Sequence, residues 1–151
     1  MELNELQERT FTRATAITRR AYPPERRLSG ELLSGYLDRR VFAVVTTTRP
    51  DGRPHAAMTS YFRRGTSFWM PTAAGSVREG NLRHEPWLAL VVSEGDRAEH
   101  VAVIVEGPCH AVDKSAVPAG VAETTREEWV SVWLCLEATR LISYASEGSA
   151  L

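Results

Sequence analysis

The residues best placed to do chemistry lie in the stretch Thr72–Pro86, TAAGSVREGNLRHEP. An apolar run, Ser67–Met70, stops just before it, and a helical pattern, Val77–His84, opens on Gly75-Ser76. A helix opening in this way presents unpaired backbone N–H groups and the positive end of its dipole. That combination suits a phosphate. Arg78 falls in the first turn, where a guanidinium can grip a phosphate through paired hydrogen bonds. The plainer alternative makes Ser76 an ordinary cap on a surface helix and leaves Arg78 solvated. No Ser-His-Asp set or paired carboxylates stand elsewhere in the chain, so any reaction would have to be carried by a bound group.

The other reactive side chains are few. Of four histidines, His55 follows the turn at Arg53-Pro54 and is either a site residue or a strand-end surface group. His84 ends the short helix, where a cation suits the dipole. His100 and His110 bracket an apolar strand with no metal-binding motif around them. Cys109 and Cys135 have neither a disulfide framework nor a zinc spacing, and read as reduced, small apolar fillers.

These residues need a scaffold. The chain has 151 residues with 43% apolar and 25% charged content, the profile of one soluble globular domain. A net charge of -1 gives no global field to hold nucleic acid or an anionic membrane. No apolar run reaches the ~20 residues of a membrane span. The opening MELNELQERT has no apolar core of a secretory signal, so the expected location is the cytoplasm.

Leu3, Leu6, Thr10, Ala14, Ile17 and Ala21 recur at steps of three and four, predicting one amphipathic helix over residues 2–21. Pro23-Pro24 stops it. Ser29 caps a second helix, Glu31–Arg39, with Leu32, Leu33 and Tyr36 facing inward. From Val41 the period changes to strands: Val41–Thr48, Pro54–Phe62, Thr66–Met70, Trp87–Ser93 and His100–Val112. Arg49-Pro50-Asp51-Gly52 and Arg63-Arg64-Gly65 supply the turns. Asp113–Glu128 reads as irregular. Trp129–Glu137 fits either a helix, with Thr125 and Glu128 as a capping box, or a strand continued by Thr139–Tyr144; its β-branched and aromatic content favours the strand. Trp69 and Trp87 are expected in the core or in a subunit contact. Strands at hairpin spacing, with the helices at the front and one crossing, predict a closed antiparallel barrel. Its filled interior would leave a ligand on the outside or in a subunit seam.

Three runs, VVTTTRPDGRPHAAMTSYF, SFWMPTAAGSVREGNLRHEPWLALVV and HVAVIVEGPCHAV, together resemble the pyridoxamine 5'-phosphate oxidase-like flavin- and deazaflavin-binding proteins. The resemblance covers about residues 36–112, with a weaker echo at Leu136–Tyr144, and its most specific parts are D-G-R-P-H, G-S-x-[KR]-x-x-N-L and H-E-P. It implies a mainly β fold: a six-stranded antiparallel split β-barrel of Greek-key type, with N-terminal helices and one short crossing helix. Residues 1–151 would form one domain, with a helical extension at 1–40, the barrel at 41–145 and a tail at 146–151.

The same resemblance implies a homodimer with flavin sites in its interface. Phosphate contacts would come from Thr72, Ser76, Arg78 and Asn81. The ring would lie along the second strand at Ala57–Ser60, with Met58, Thr59 and Ser60 as contacts, beside Pro71 and with His55 as a further candidate, and the partner's C-terminal strand would bring Arg140 close. The implied cofactor is FMN, or alternatively the deazaflavin F420, whose acidic tail could meet an arginine pair such as Arg19-Arg20, Arg26-Arg27 or Arg39-Arg40. The implied activity is hydride transfer to or from a small conjugated substrate. A non-catalytic flavin- or haem-binding sensor of the same fold is the alternative. The oxidases proper carry a basic pair where this chain has Val77-Arg78, basic residues where it has Ala56–Thr59, and a C-terminal substrate motif that it lacks. The resemblance therefore points away from a true pyridoxamine phosphate oxidase.

Overall fold

The strand-forming runs pair into one curled antiparallel sheet. In the computed structural model, which describes residues 1–124 and 128–149, the strands are β1 (Phe42–Thr48), β2 (Pro54–Ser60), β3 (Phe62–Arg64), β4 (Ser67–Thr72), β5 (Trp87–Gly95), β6 (His100–Val112), β7 (Val132–Glu137) and β8 (Arg140–Ala145). Their order is β2-β1-β5-β6-β7-β4-β3, with β8 also on β6. Helices α1 (Leu3–Arg13), α2 (Ala16–Ala21), α3 (Gly30–Arg39), α4 (Val77–His84) and α5 (Val121–Thr124) lie around it. The fold is mainly β and of the split-barrel kind, with eight described strands in place of the expected six.

The two extra strands arise where a predicted strand breaks. Pro54–Phe62 ends at Ser60, and Tyr61 turns its hydroxyl inward to donate to the Leu37 carbonyl at 2.7 Å. Arg63 and Arg64 then belong to β3, and the turn falls at Gly65 instead. The predicted continuation through Thr139 breaks at Ala138-Thr139. There the chain leaves the sheet half containing β4 and joins the half containing β1.

Strand β6 spans both halves. Its first part pairs with β8, Val101 opposite Ala145 through Glu106 opposite Arg140, and its last part pairs with β7, Cys109 opposite Leu136 through Val112 opposite Trp133. Gly107 sits at the changeover. A Cβ there would lie 2.1 Å from the Glu137 carbonyl oxygen and 3.1 Å from the Thr139 amide nitrogen.

The interior is filled by Val45, Phe68, Met70, Leu88, Leu90, Val103, Val105, Leu134, Leu136 and Leu141, closed by Leu3, Leu6, Leu33, Tyr36 and Leu37 from the helices. Alternation along β6 buries Val101, Val103 and Val105 while Ala102 and Ile104 stay half-exposed, so one face is open where both were expected to be covered. A satisfied polar seam joins α1 to β8. Gln7 donates to the Leu28 carbonyl at 2.9 Å, and the Ser143 hydroxyl donates to Gln7 Oε1 at 2.5 Å while accepting from the Leu28 amide. Thr10 Oγ1 accepts from the Leu141 amide at 3.0 Å.

The single helix expected over 2–21 is two. Thr15 accepts a hydrogen bond from the Thr18 amide at 3.1 Å and caps a new start, so α2 turns away and Ile17 is 77% exposed. Ser29 caps α3 as expected, accepting from Leu32, but Leu32 itself points outward and Leu37 takes its place in the core. Within Asp113–Glu128 the short α5 follows Gly120. The strand reading of 129–137 holds from Val132. Thr125, of the alternative capping box, lies outside the described residues. Trp69 is core, whereas Trp87 is 45% exposed.

Gly107→Ala should destabilise the protein by more than about 2 kcal/mol, because the methyl meets backbone that cannot retreat without breaking the β7–β8 crossing. Urea unfolding followed by circular dichroism measures this; a loss under about 0.5 kcal/mol would mean the corner relaxes freely.

Candidate functional site

Strand β4 delivers Pro71 and Thr72 to the sheet's rim, and the chain must then reverse into α4. Gly75 makes the reversal at φ +76°, a left-handed conformation that suits glycine. Ser76 is the N-cap, its hydroxyl accepting from the Glu79 amide at 3.3 Å and lying 2.9 Å from Thr72 Oγ1. The buried Glu79 carboxylate reaches back to the Gly75 amide at 2.5 Å and also meets Arg83 Nη1 at 3.2 Å. The Ala74 amide donates to Ser131 Oγ. Among the described residues the amides of Val77 and Arg78 have no acceptor.

Arg78 folds back over the strand end. Its Nε donates to Thr72 Oγ1 at 2.9 Å and its Nη2 to the Pro71 carbonyl at 3.2 Å. It is half-buried, and that burial pushes its guanidinium below the ordinary arginine value. Arg26, Arg40, Arg63 and Arg140 each meet a carboxylate. Arg78 meets none among the described residues. A partly desolvated cation without an anion is costly, and a bound anion would offset that cost.

The guanidinium forms one wall of an open groove of about 370 Å³ between the β2 edge and the start of α4. His55 and Met58 from β2, Thr72, Ser76 and Trp129 complete the part relevant here. The groove exists because β2 ends the sheet's path on one side and β4 approaches it without pairing.

The structure thus gathers His55, Met58, Pro71, Thr72, Ser76 and Arg78 of the expected set. The rest stand apart. Thr59 alternates with Met58, so it faces the interior beside Ala43 and donates to the Ser60 carbonyl at 3.1 Å. Ser60 lies opposite Phe42 on the other face, outside the groove. Asn81 is buried and donates to Thr47 Oγ1 at 2.9 Å, pinning α4 to β1 instead of facing the opening. Arg140 is ion-paired with Glu106 at 2.7 Å on the outer sheet face. Glu79 and Trp129 were not anticipated. The S-x-x-E spacing from Ser76 signals Glu79. Nothing local signals Trp129, which arrives through the β4–β7 pairing of Thr72 with Val132 and the Ser131 amide bonded to the Thr72 carbonyl.

The histidines away from the groove are structural or superficial; His100 stacks on Tyr144 with ring centres 5.5 Å apart. No group of three or more His, Cys, Asp or Glu among the described residues is arranged to hold a metal. Burial pushes both Cys109 and Cys135 up to about 12, so neither is a nucleophile at neutral pH. Among the described residues no helix is long and apolar enough to cross a membrane.

Comparison with solved structures gives the same architecture. A conserved hypothetical protein from Mycobacterium tuberculosis superposes with a TM-score of 0.70 at 20% identity, covering 82% of this chain and 88% of that one. A FAD-binding protein from Mesorhizobium loti gives 0.64 at 16% identity, covering 81% and 97%. A haem-binding protein from Mycobacterium smegmatis gives 0.55 at 19% identity, covering 72% of this chain and 50% of that chain. No curated protein sequence matches the chain. Residues 31–144 match the family model described as Pyridoxamine 5'-phosphate oxidase. With that match over most of its length, the chain belongs to the pyridoxamine 5'-phosphate oxidase family.

Proposed function

We propose that the groove holds the phosphate of a flavin, FMN in the first instance and the deazaflavin F420 as the alternative, and that the protein is an oxidoreductase acting on a small conjugated substrate. The observation that carries this reading is Arg78: half-buried, fixed by Thr72 and the Pro71 carbonyl, and, among the described residues, without a carboxylate and beside two amides that lack acceptors. The donor set suits a phosphate dianion. The Glu79 carboxylate stands nearby, but the Gly75 amide and Arg83 already hold it. A flavin would supply hydride chemistry of its own. The chain's part is to bind the anion, shield one face of the ring with Met58 and Trp129, and orient its edge.

The flavin-binding relative, itself a FAD-binding protein, supports a cofactor of this class. The two buried, unbridged thiols suit a reducing compartment, the cytoplasm. A homodimer is part of the proposal. Phe42 at 62%, Met58 at 71% and Val44 at 40% exposure form an apolar patch on neighbouring strands, with Met58 opposite Val44 and Val44 opposite Val91. Met58 also lines the groove, so an interface built on this patch would place the groove in the subunit seam. That arrangement would let Arg140 of the partner subunit approach it.

A second reading, a haem- or flavin-binding module without turnover, is favoured by His55, whose imidazole lines the groove and is of the type that ligates haem iron. The absorption spectrum of the purified protein separates the two: flavin bands bleached by dithionite or NAD(P)H support the first, a Soret band the second.

Arg78→Ala should weaken FMN binding by about 1–3 kcal/mol in a fluorescence titration, the range for a hydrogen-bonded charged group. Equal affinity in variant and parent would remove Arg78 as the phosphate anchor. In sedimentation equilibrium at micromolar concentration the protein should run at about twice its 16.8 kDa chain mass, and Phe42→Asp should shift it toward the single-chain value. A parent that sediments as one chain would exclude the shared-seam arrangement.

A further inference from the structure

A second concave site lies away from the flavin groove, at the opposite end of α4. The α1–α2 corner overhangs the start of β5 and the start of β8 and encloses a cleft of about 440 Å³, within the size range of small-molecule sites. Three arginines line it, Arg9, Arg13 and Arg140, and among the described residues no acidic side chain does. Arg140 is neutralised by Glu106. Arg9 and Arg13 are not neutralised; neither meets a carboxylate among the described residues, and Arg9 reaches only the Met1 sulfur at 3.0 Å. They are one helical turn apart, a like-charge spacing that costs helix stability. Trp87, the first residue of β5, also lines the cleft and is 45% exposed, although Leu88 and Leu90 on the same strand are fully buried.

A planar apolar surface and an unneutralised cation pair lining one cleft suit one class of molecule. The ring stacks on the indole, and the charge sits between the guanidinium groups. The geometry points to this cleft as a binding site for a small planar aromatic ligand bearing a carboxylate or similar anionic group. Within one subunit the cleft shares no lining residue with the phosphate groove.

The test uses 2-naphthoate as probe, with 2-naphthalenemethanol as its uncharged counterpart and inorganic phosphate as an anion without a ring. Binding is read by NMR from the Trp87 indole N–H signal, assigned among the chain's four tryptophans by its disappearance in Trp87→Phe. Naphthoate should shift that signal saturably, while the alcohol and phosphate should bind at least tenfold more weakly. Arg13→Ala and Arg9→Ala should each weaken naphthoate at least fivefold with an unchanged circular dichroism spectrum. Arg78→Ala should leave naphthoate affinity unchanged even where it weakens FMN, which separates this site from the proposed flavin site. The inference is overturned if naphthoate gives no saturable shift. It is equally overturned if the alcohol binds as well as the acid, if both arginine variants bind like the parent, or if Arg78→Ala abolishes the shift.

Discussion

The fold turns on one close approach, the passage of the β7–β8 corner over Gly107. Strand β6 is long enough to serve two partners, but only if the chain between them can cross its backbone. The Thr139 amide donates to the Glu106 carbonyl at 2.9 Å and the Ala138 amide to the Thr66 carbonyl at 3.0 Å, so the corner is hydrogen-bonded to both sheet halves at once. A side chain at residue 107 would occupy the place of the Glu137 carbonyl. Splitting β6 in this way sends β7 to β4 and β8 to the helices. The sheet curls without β2 and β4 pairing.

That unpaired gap carries the candidate site. With β4 committed to β7 on one side, Thr72 is fully buried and its hydroxyl is aimed at the start of α4. Helix α4 is in turn fixed by Asn81 on Thr47 and by Leu82 in the core. Arg78 therefore has little freedom: it emerges from a pinned helix and is held at Nε and Nη2 by groups on a pinned strand end. Its position is set before any ligand arrives, the kind of preorganisation that binding an anion favours. Asn81 thus acts on the groove through the helix it anchors and not by contact.

Much of this was legible in the sequence because the signals were local. The Ser29 and Ser76 caps, the Gly52 turn, the β-branched runs and the Gly75-Ser76-x-Arg78 order each depend on a few adjacent residues, and each element formed where they stand. What failed was decided at a distance or by competition between neighbours. The Thr15 cap overrode an apolar stripe that continued through Ile17. The break at Tyr61 follows from a hydroxyl bond to Leu37, 24 residues away. Thr59 fell outside the groove because alternation turns it inward beside Ala43, and Ser60 because it lies two residues beyond Met58 on the same face, past the groove's end. Trp129 reached the groove through strand pairing alone.

The turn also limits where an anion can sit. Its upstream amides are already satisfied from within the chain, Ala74 by Ser131 and Gly75 by the Glu79 carboxylate. The Ser76 amide is bonded to the Ala73 carbonyl and the Glu79 amide to Ser76 Oγ. Among the described residues the donors left between them are the amides of Val77 and of Arg78, the residue whose guanidinium folds back onto Thr72. A phosphate lodged against Gly75 would face the Glu79 carboxylate at short range, whereas one lodged against Val77 and Arg78 would meet two N–H groups and a guanidinium. If the groove binds a phosphate as proposed, the internal carboxylate would direct the anion to the groove side of the helix start.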